Sequence, residues 1–149
     1  MCKSLFVLIV LLLVGVPSIS FAVVAGDFDG NGSVTLEDIA YYMAWFTEAG
    51  TTDKQLIASV ASSLYKNAKG PVVRLPDALY DNFFGDNSIG LKDIAIMMAW
   101  FTEGASSDFN VILNQAVILY PPANNIYKLP ATPIGDSTVP VTITGIQPD

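Results

Sequence analysis

The residues best equipped for chemistry lie near the start of the chain, in Asp27-Phe28-Asp29-Gly30-Asn31-Gly32-Ser33-Val34-Thr35-Leu36-Glu37-Asp38. Asp27, Asp29 and Asn31 place a side-chain oxygen at alternate positions, and Asp38 closes the run at the twelfth. A hard divalent cation such as Ca²⁺ takes roughly six to eight oxygen ligands, and a twelve-residue loop can supply them from positions one, three, five, seven, nine and twelve. Ser33 would then offer its carbonyl at position seven, and Thr35 would act through water at nine. Gly32 at position six permits the sharp turn, and Val34 puts an apolar residue at position eight. A plain Gly/Asn turn, with Asp38 favouring a helix N-terminus, accounts for Asp38 alone. The spacing therefore predicts a Ca²⁺ site at Asp27, Asp29, Asn31, Ser33, Thr35 and Asp38.

A second copy of this pattern follows 55 residues later. Ser33 to Ala40 lies over Ser88 to Ala95, and Met43-Ala44-Trp45-Phe46-Thr47-Glu48 recurs as Met98-Ala99-Trp100-Phe101-Thr102-Glu103. The match continues through Ile57/Ile112, Ala61/Ala116 and Tyr65/Tyr120, and Arg74-Leu75-Pro76 is echoed one residue out of step by Lys128-Leu129-Pro130. A repeat of this length marks a duplicated supersecondary unit. Counting back from Asp93, the second loop has Asn82, Asp86, Ser88 and Asp93 as candidate ligands. Phe84 stands at position three, where it cannot coordinate, and a one-residue bulge would bring in Asp81 as first ligand instead.

Each unit reads as loop, helix, turn, helix and a short extended piece. Leu36, Ile39, Met43 and Phe46 recur at helical spacing, which predicts a helix from about Leu36 to Glu48. Thr52 or Asp53 is placed to cap a second helix running to about Lys66. The counterparts are Leu91 to Glu103 and Asp108 to Tyr120. Pro71 to Leu75 and Ile126 to Leu129 carry β-branched residues and flanking prolines, and are expected to be extended. The tail changes character: Val139-Pro140-Val141-Thr142-Ile143-Thr144 alternates as a strand does, with Pro140 confining it to an edge or bulge. The expected fold is mainly α, two loop-helix-helix repeats over 23–80 and 81–130, with a β-strand tail over 131–149.

An aspartate at position twelve, a glycine before the loop and no room for an entering helix together make the segment from Asp27 resemble the dockerin module of secreted enzyme complexes, an EF-hand-like calcium loop. The resemblance covers the loop and the helix after it; an additional helix then separates the two loops. It implies Ca²⁺ as cofactor and a cohesin-like protein as partner, met through loop positions ten and eleven, here Leu36-Glu37 and Leu91-Lys92.

Composition sets the remaining bounds. Lys3, the apolar run Leu5 to Val14 and the small residues around Ala22 predict a secretory signal peptide over 1–22, and the run is shorter than the ~20 residues that span a bilayer. The chain carries a net charge of -7, and loss of Lys3 makes the mature chain more acidic still, which argues against nucleic acid. No histidine is present and Cys2 lies within the leader, so serine triads, zinc hydrolase sites and structural disulfides are excluded from the mature chain. Glu37, Glu48 and Glu103 leave a glycosidase pair formally open, but the chain is too short for a cleft as well, and the reading is not an enzyme.

Charged residues make up 14% of the chain, against ~25% in ordinary soluble domains. The first helix of each unit is apolar all round, which predicts either full burial or contact with another subunit through Tyr41, Trp45, Ile96 and Trp100. Two functions follow as expectations. One is a secreted, extracellular or cell-surface calcium-binding protein that self-assembles into a filament, tube or surface layer; the other is a docking module for a cohesin-like partner.

Overall fold

The computed structural model describes residues 22–130 and the backbone of 133–134. The leader expected over 1–22, apart from Ala22, and the strand expected at Val139 to Thr144 lie outside the described residues. The chain is mainly helical. After the short strand β1 (Val23–Val24) come α1 (Leu36–Thr47), α2 (Lys54–Leu64), the single turn α3 (Ala78–Asp81), α4 (Leu91–Thr102) and α5 (Phe109–Leu119). The strand β2 (Pro133–Ile134) pairs antiparallel with β1, Val23 opposite Ile134 and Val24 opposite Pro133. None of the described helices is long and apolar enough to cross a membrane.

Local chemistry fixes the helix starts. Thr35 caps α1: its hydroxyl accepts from the Glu37 N–H, while the Asp38 carboxylate accepts the Thr35 N–H in return. Asp53 caps α2 and Asp108 caps α5, each through side-chain bonds to the second and third N–H groups of the helix. The bounds of α4 and α5 lie 55 residues beyond those of α1 and α2. The turn α3, capped by Asp77, is an element that the hydrophobic period does not predict; at four residues it is too short to show one.

Helices α1 and α2 pack as one pair, α4 and α5 as another, and α1 meets α4 between them. This places both apolar helices at the centre. Tyr41 and Tyr42 are 1% and 0% exposed, Ile96 and Met97 both 0%, and Trp100 8%. Of the two expectations for these helices, full burial holds for Tyr41, Ile96 and Trp100, and contact with another subunit does not; the Tyr41 hydroxyl donates to the Gly70 carbonyl. Trp45 is half-buried against Tyr42, their rings 6.1 Å apart. Leu36, Phe46 and Leu91 are instead exposed, and a groove of about 240 Å³ lies between Met43, Phe46, Ile94, Met98 and Leu119.

The pieces expected to be extended act as struts. The Val73 and Arg74 N–H groups both donate to the Phe28 carbonyl, at 2.8 and 3.0 Å, and those of Tyr127 and Lys128 both donate to the Phe83 carbonyl, at 2.8 and 3.3 Å. Neither piece joins a ladder, so the strand character expected of them is limited to this anchoring.

Candidate metal centre

Backbone conformation sets the first loop. Gly26, Gly30 and Gly32 have φ of 84°, 74° and 85°, a region that costs an L side chain but not glycine. The chain therefore doubles back, and the spaced carboxylates turn inward. Asp27 Oδ1 accepts the N–H of Gly30 at 2.8 Å and of Asn31 at 3.2 Å, and Oδ2 accepts that of Gly32 at 2.9 Å. Asp29 takes the Asn31 N–H on Oδ1 and its Nδ2 on Oδ2, and Asn31 Oδ1 takes the Ser33 N–H. Asp38 reaches back from the first turn of α1, its Oδ1 2.8 Å from the Phe28 nitrogen and its Oδ2 2.8 Å from that of Thr35.

The result brings Asp27, Asp29 and Asp38 together, with one oxygen of each within 4.8 Å of the others. Asp27 is 7% exposed and Asp38 fully buried. Burial, aided by the charge of Asp29, pushes the Asp38 carboxyl up to about 6 against the opposing N–H donors. Asp29 is likewise raised, by burial first and then by its hydrogen bond with Asp27 and the charges of Asp27 and Glu37. Three carboxylates this close repel one another, and a cation between them would relieve both the repulsion and the desolvation. The donor set, all hard oxygen, suits Ca²⁺ or Mg²⁺ and offers nothing to softer metals. Asn31, Ser33 and Thr35 lie on the same loop; their polar atoms hold its turns, and their use as ligands goes with the calcium reading.

The second loop keeps the frame but not the charge. Asp93 Oδ1 accepts the Phe84 N–H and its Oδ2 the Gly90 N–H, both at 2.9 Å, matching the bonds that Asp38 makes to Asp29 and Thr35. Asn82 Oδ1 accepts the Gly85 N–H at 2.6 Å, as Asp27 does for Gly30. Asn87, with φ 63°, takes the left-handed place of Gly32. Asp86 Oδ1 accepts the Ser88 N–H and hydroxyl, while its Oδ2 is paired with Lys92 Nζ at 3.0 Å. Burial raises Asp93, offset in part by its N–H donors.

The bulge that would enlist Asp81 is absent. Asp81 is fully buried and engaged elsewhere, its Oδ1 2.9 Å from Arg74 Nη2 and 2.9 Å from the Gly26 nitrogen, and its Oδ2 2.9 Å from the Asp77 nitrogen. Arg74 in turn donates through Nε to the Asp27 carbonyl and through Nη2 to that of Val24, each at 3.3 Å, and lies 4.8 Å over the Phe28 ring. This pair, with Asp81 buried and Arg74 partly exposed, supports the first residue of the candidate metal loop. Sequence reasoning did not find it, although the basic residue shared by Arg74-Leu75-Pro76 and Lys128-Leu129-Pro130 was the signal that could have.

Comparison with protein-family models, with curated proteins and with solved structures gives no match.

Proposed function

We propose that this chain is a secreted calcium-binding structural protein of dockerin-like build, whose copies assemble outside the cell into a filament, tube or surface layer. The observation that carries the calcium reading is the convergence of Asp27, Asp29 and Asp38 on a glycine-turned loop. Ca²⁺ there would link the start of the chain to the first turn of α1, because Asp27 and Asp29 precede the helix and Asp38 belongs to it. Metal binding would then be folding free energy for the first half. Assembly is supported by the sparse charge of the chain and by the exposed apolar residues Leu36, Phe46, Leu91 and Ile118, the last 74% exposed.

Docking to a cohesin-like partner is the second reading. One observation favours it: Leu36 and Leu91, at position ten of the two loops, are 41% and 45% exposed at equivalent places on α1 and α4. Electron microscopy of the secreted protein in Ca²⁺, beside a binding assay with a cohesin, separates the two. Ordered polymers without cohesin binding support assembly; monodisperse particles that bind cohesin in a chelator-sensitive way replace it with docking.

A further inference from the structure

Position eleven is where the two loops part. In the first, Glu37 is engaged by the segment that follows α2 and by its own helix: its Oε1 accepts the N–H groups of Lys69 at 2.8 Å and Gly70 at 2.6 Å and the Tyr41 hydroxyl at 2.7 Å. In the second, Lys92 holds that position and turns into the loop. Its ammonium lies 3.0 Å from Asp86 Oδ2 and 4.0 Å from the centroid of the Phe84 ring. Asp86 and Phe84 occupy positions five and three, those of Asn31 and Asp29 in the first loop.

A positive charge thus already sits against the side chains at two of the loop's ligand positions, three and five. An aromatic face attracts a cation, as a carboxylate does, so a ring at position three suits an ammonium where it could not ligate calcium. Charge points the same way. The first loop carries Asp27, Asp29 and Asp38 at its ligand positions; the second carries Asp86 and Asp93, with the ammonium offsetting one of them. The backbone frame of the second loop is nonetheless complete, closed by Asp93, Asn82 and Asp86. A tethered cation loses no translational freedom on binding, and a divalent ion would have to enter against it.

We propose that the second loop is built around its own cation: the Lys92 ammonium, held by Asp86 and the Phe84 ring, takes the place that Ca²⁺ takes in the first loop, so that the chain binds one ion and not two. The count of one rests on the calcium reading of the first loop; the closure of the second does not. It assigns Lys92 and Phe84 as the residues that set metal stoichiometry, and it makes the first half of the molecule the part that responds to metal.

Calorimetric titration of the full chain with Ca²⁺ tests this, beside an Asn82→Asp/Phe84→Asp/Lys92→Glu variant. The expected result is one ion for the wild type and one more for the variant. Two ions in the wild type, or no gain in a variant that folds, overturns the proposal. A wild type that takes none while the variant takes one overturns the first-loop reading and supports this one. Should the variant not fold, Asp27→Asn/Asp29→Asn decides: no ion bound supports the proposal, and one ion bound at the untouched second loop overturns it.

Discussion

Titrating the metal-free protein from about pH 4.5 to about pH 7 should weaken it, and the amount follows from one buried carboxylate. Asp38 has its pKa raised from 3.8 to about 6 by burial in the folded chain. A group held above its unfolded value stabilises the fold fully below the unfolded pKa, and that contribution is lost as pH rises through the folded one. At ~1.4 kcal/mol per unit the limiting effect is about 3 kcal/mol, of which about 2 kcal/mol falls between pH 4.5 and pH 7. Asp29 and Asp93 are raised as well and act with the same sign. Glu37 and Asp86 act in the opposite sense, but their windows lie below their ordinary values of 4.5 and 3.8. Burial disfavours the charge of Glu37, yet the Tyr41 hydroxyl and two N–H groups outweigh it; the Ser88 hydroxyl and Lys92 hold Asp86 at about 2. Urea unfolding in chelator at a series of pH values reads the slope. Saturating Ca²⁺ should abolish or reverse it, because metal binding requires the ionised carboxylate. Metal-free stability that stays level or rises across this range, or a slope that Asp38→Asn leaves intact, refutes the reasoning.

Asp27→Ala/Asp29→Ala should melt at the same temperature with and without chelator, whereas wild type at about a hundredfold excess of Ca²⁺ over Kd should gain about 2.7 kcal/mol; scanning calorimetry checks both. Arg74→Met leaves Asp81 buried with two backbone donors in place of a paired guanidinium, and should cost about 3 kcal/mol by urea unfolding. A loss below about 1 kcal/mol would mean that the pair contributes little beyond packing. Leu91→Gln alters a side chain that is 45% exposed, so it should leave the melting temperature nearly unchanged while reducing polymer yield in negative-stain micrographs. Unimpaired polymers would remove this face from the assembly contact.

The parts of the fold legible in the sequence are those set by local rules. Four helices follow from the apolar period, with Thr52 or Asp53 offered as a cap, and the 55-residue offset carries each assignment to its counterpart; the structure settles the caps as Asp53 and Asp108. The convergence of Asp27, Asp29 and Asp38 was legible too, because ligands within one loop are brought together by the loop alone. What was not legible depends on long-range placement. Tyr41 and Ile96 look like interface residues on a helical wheel, and it is tertiary packing that buries them, with the Tyr41 hydroxyl on the Gly70 carbonyl 29 residues away. Asp81 looks like a spare ligand for the second loop until Arg74 and the Gly26 nitrogen, 55 residues away, are seen to occupy it. Lys92 reads from the resemblance as a partner-contacting position; its place against Phe84 depends on how the loop before the helix folds back.

Whether the early aspartates hold a divalent cation is tested most directly by a high-resolution structure of crystals grown in Ca²⁺. The prediction is a single strong peak about 2.3–2.6 Å from oxygens of Asp27, Asp29 and Asp38. A cage without such a peak in well-ordered, calcium-saturated crystals would contradict it.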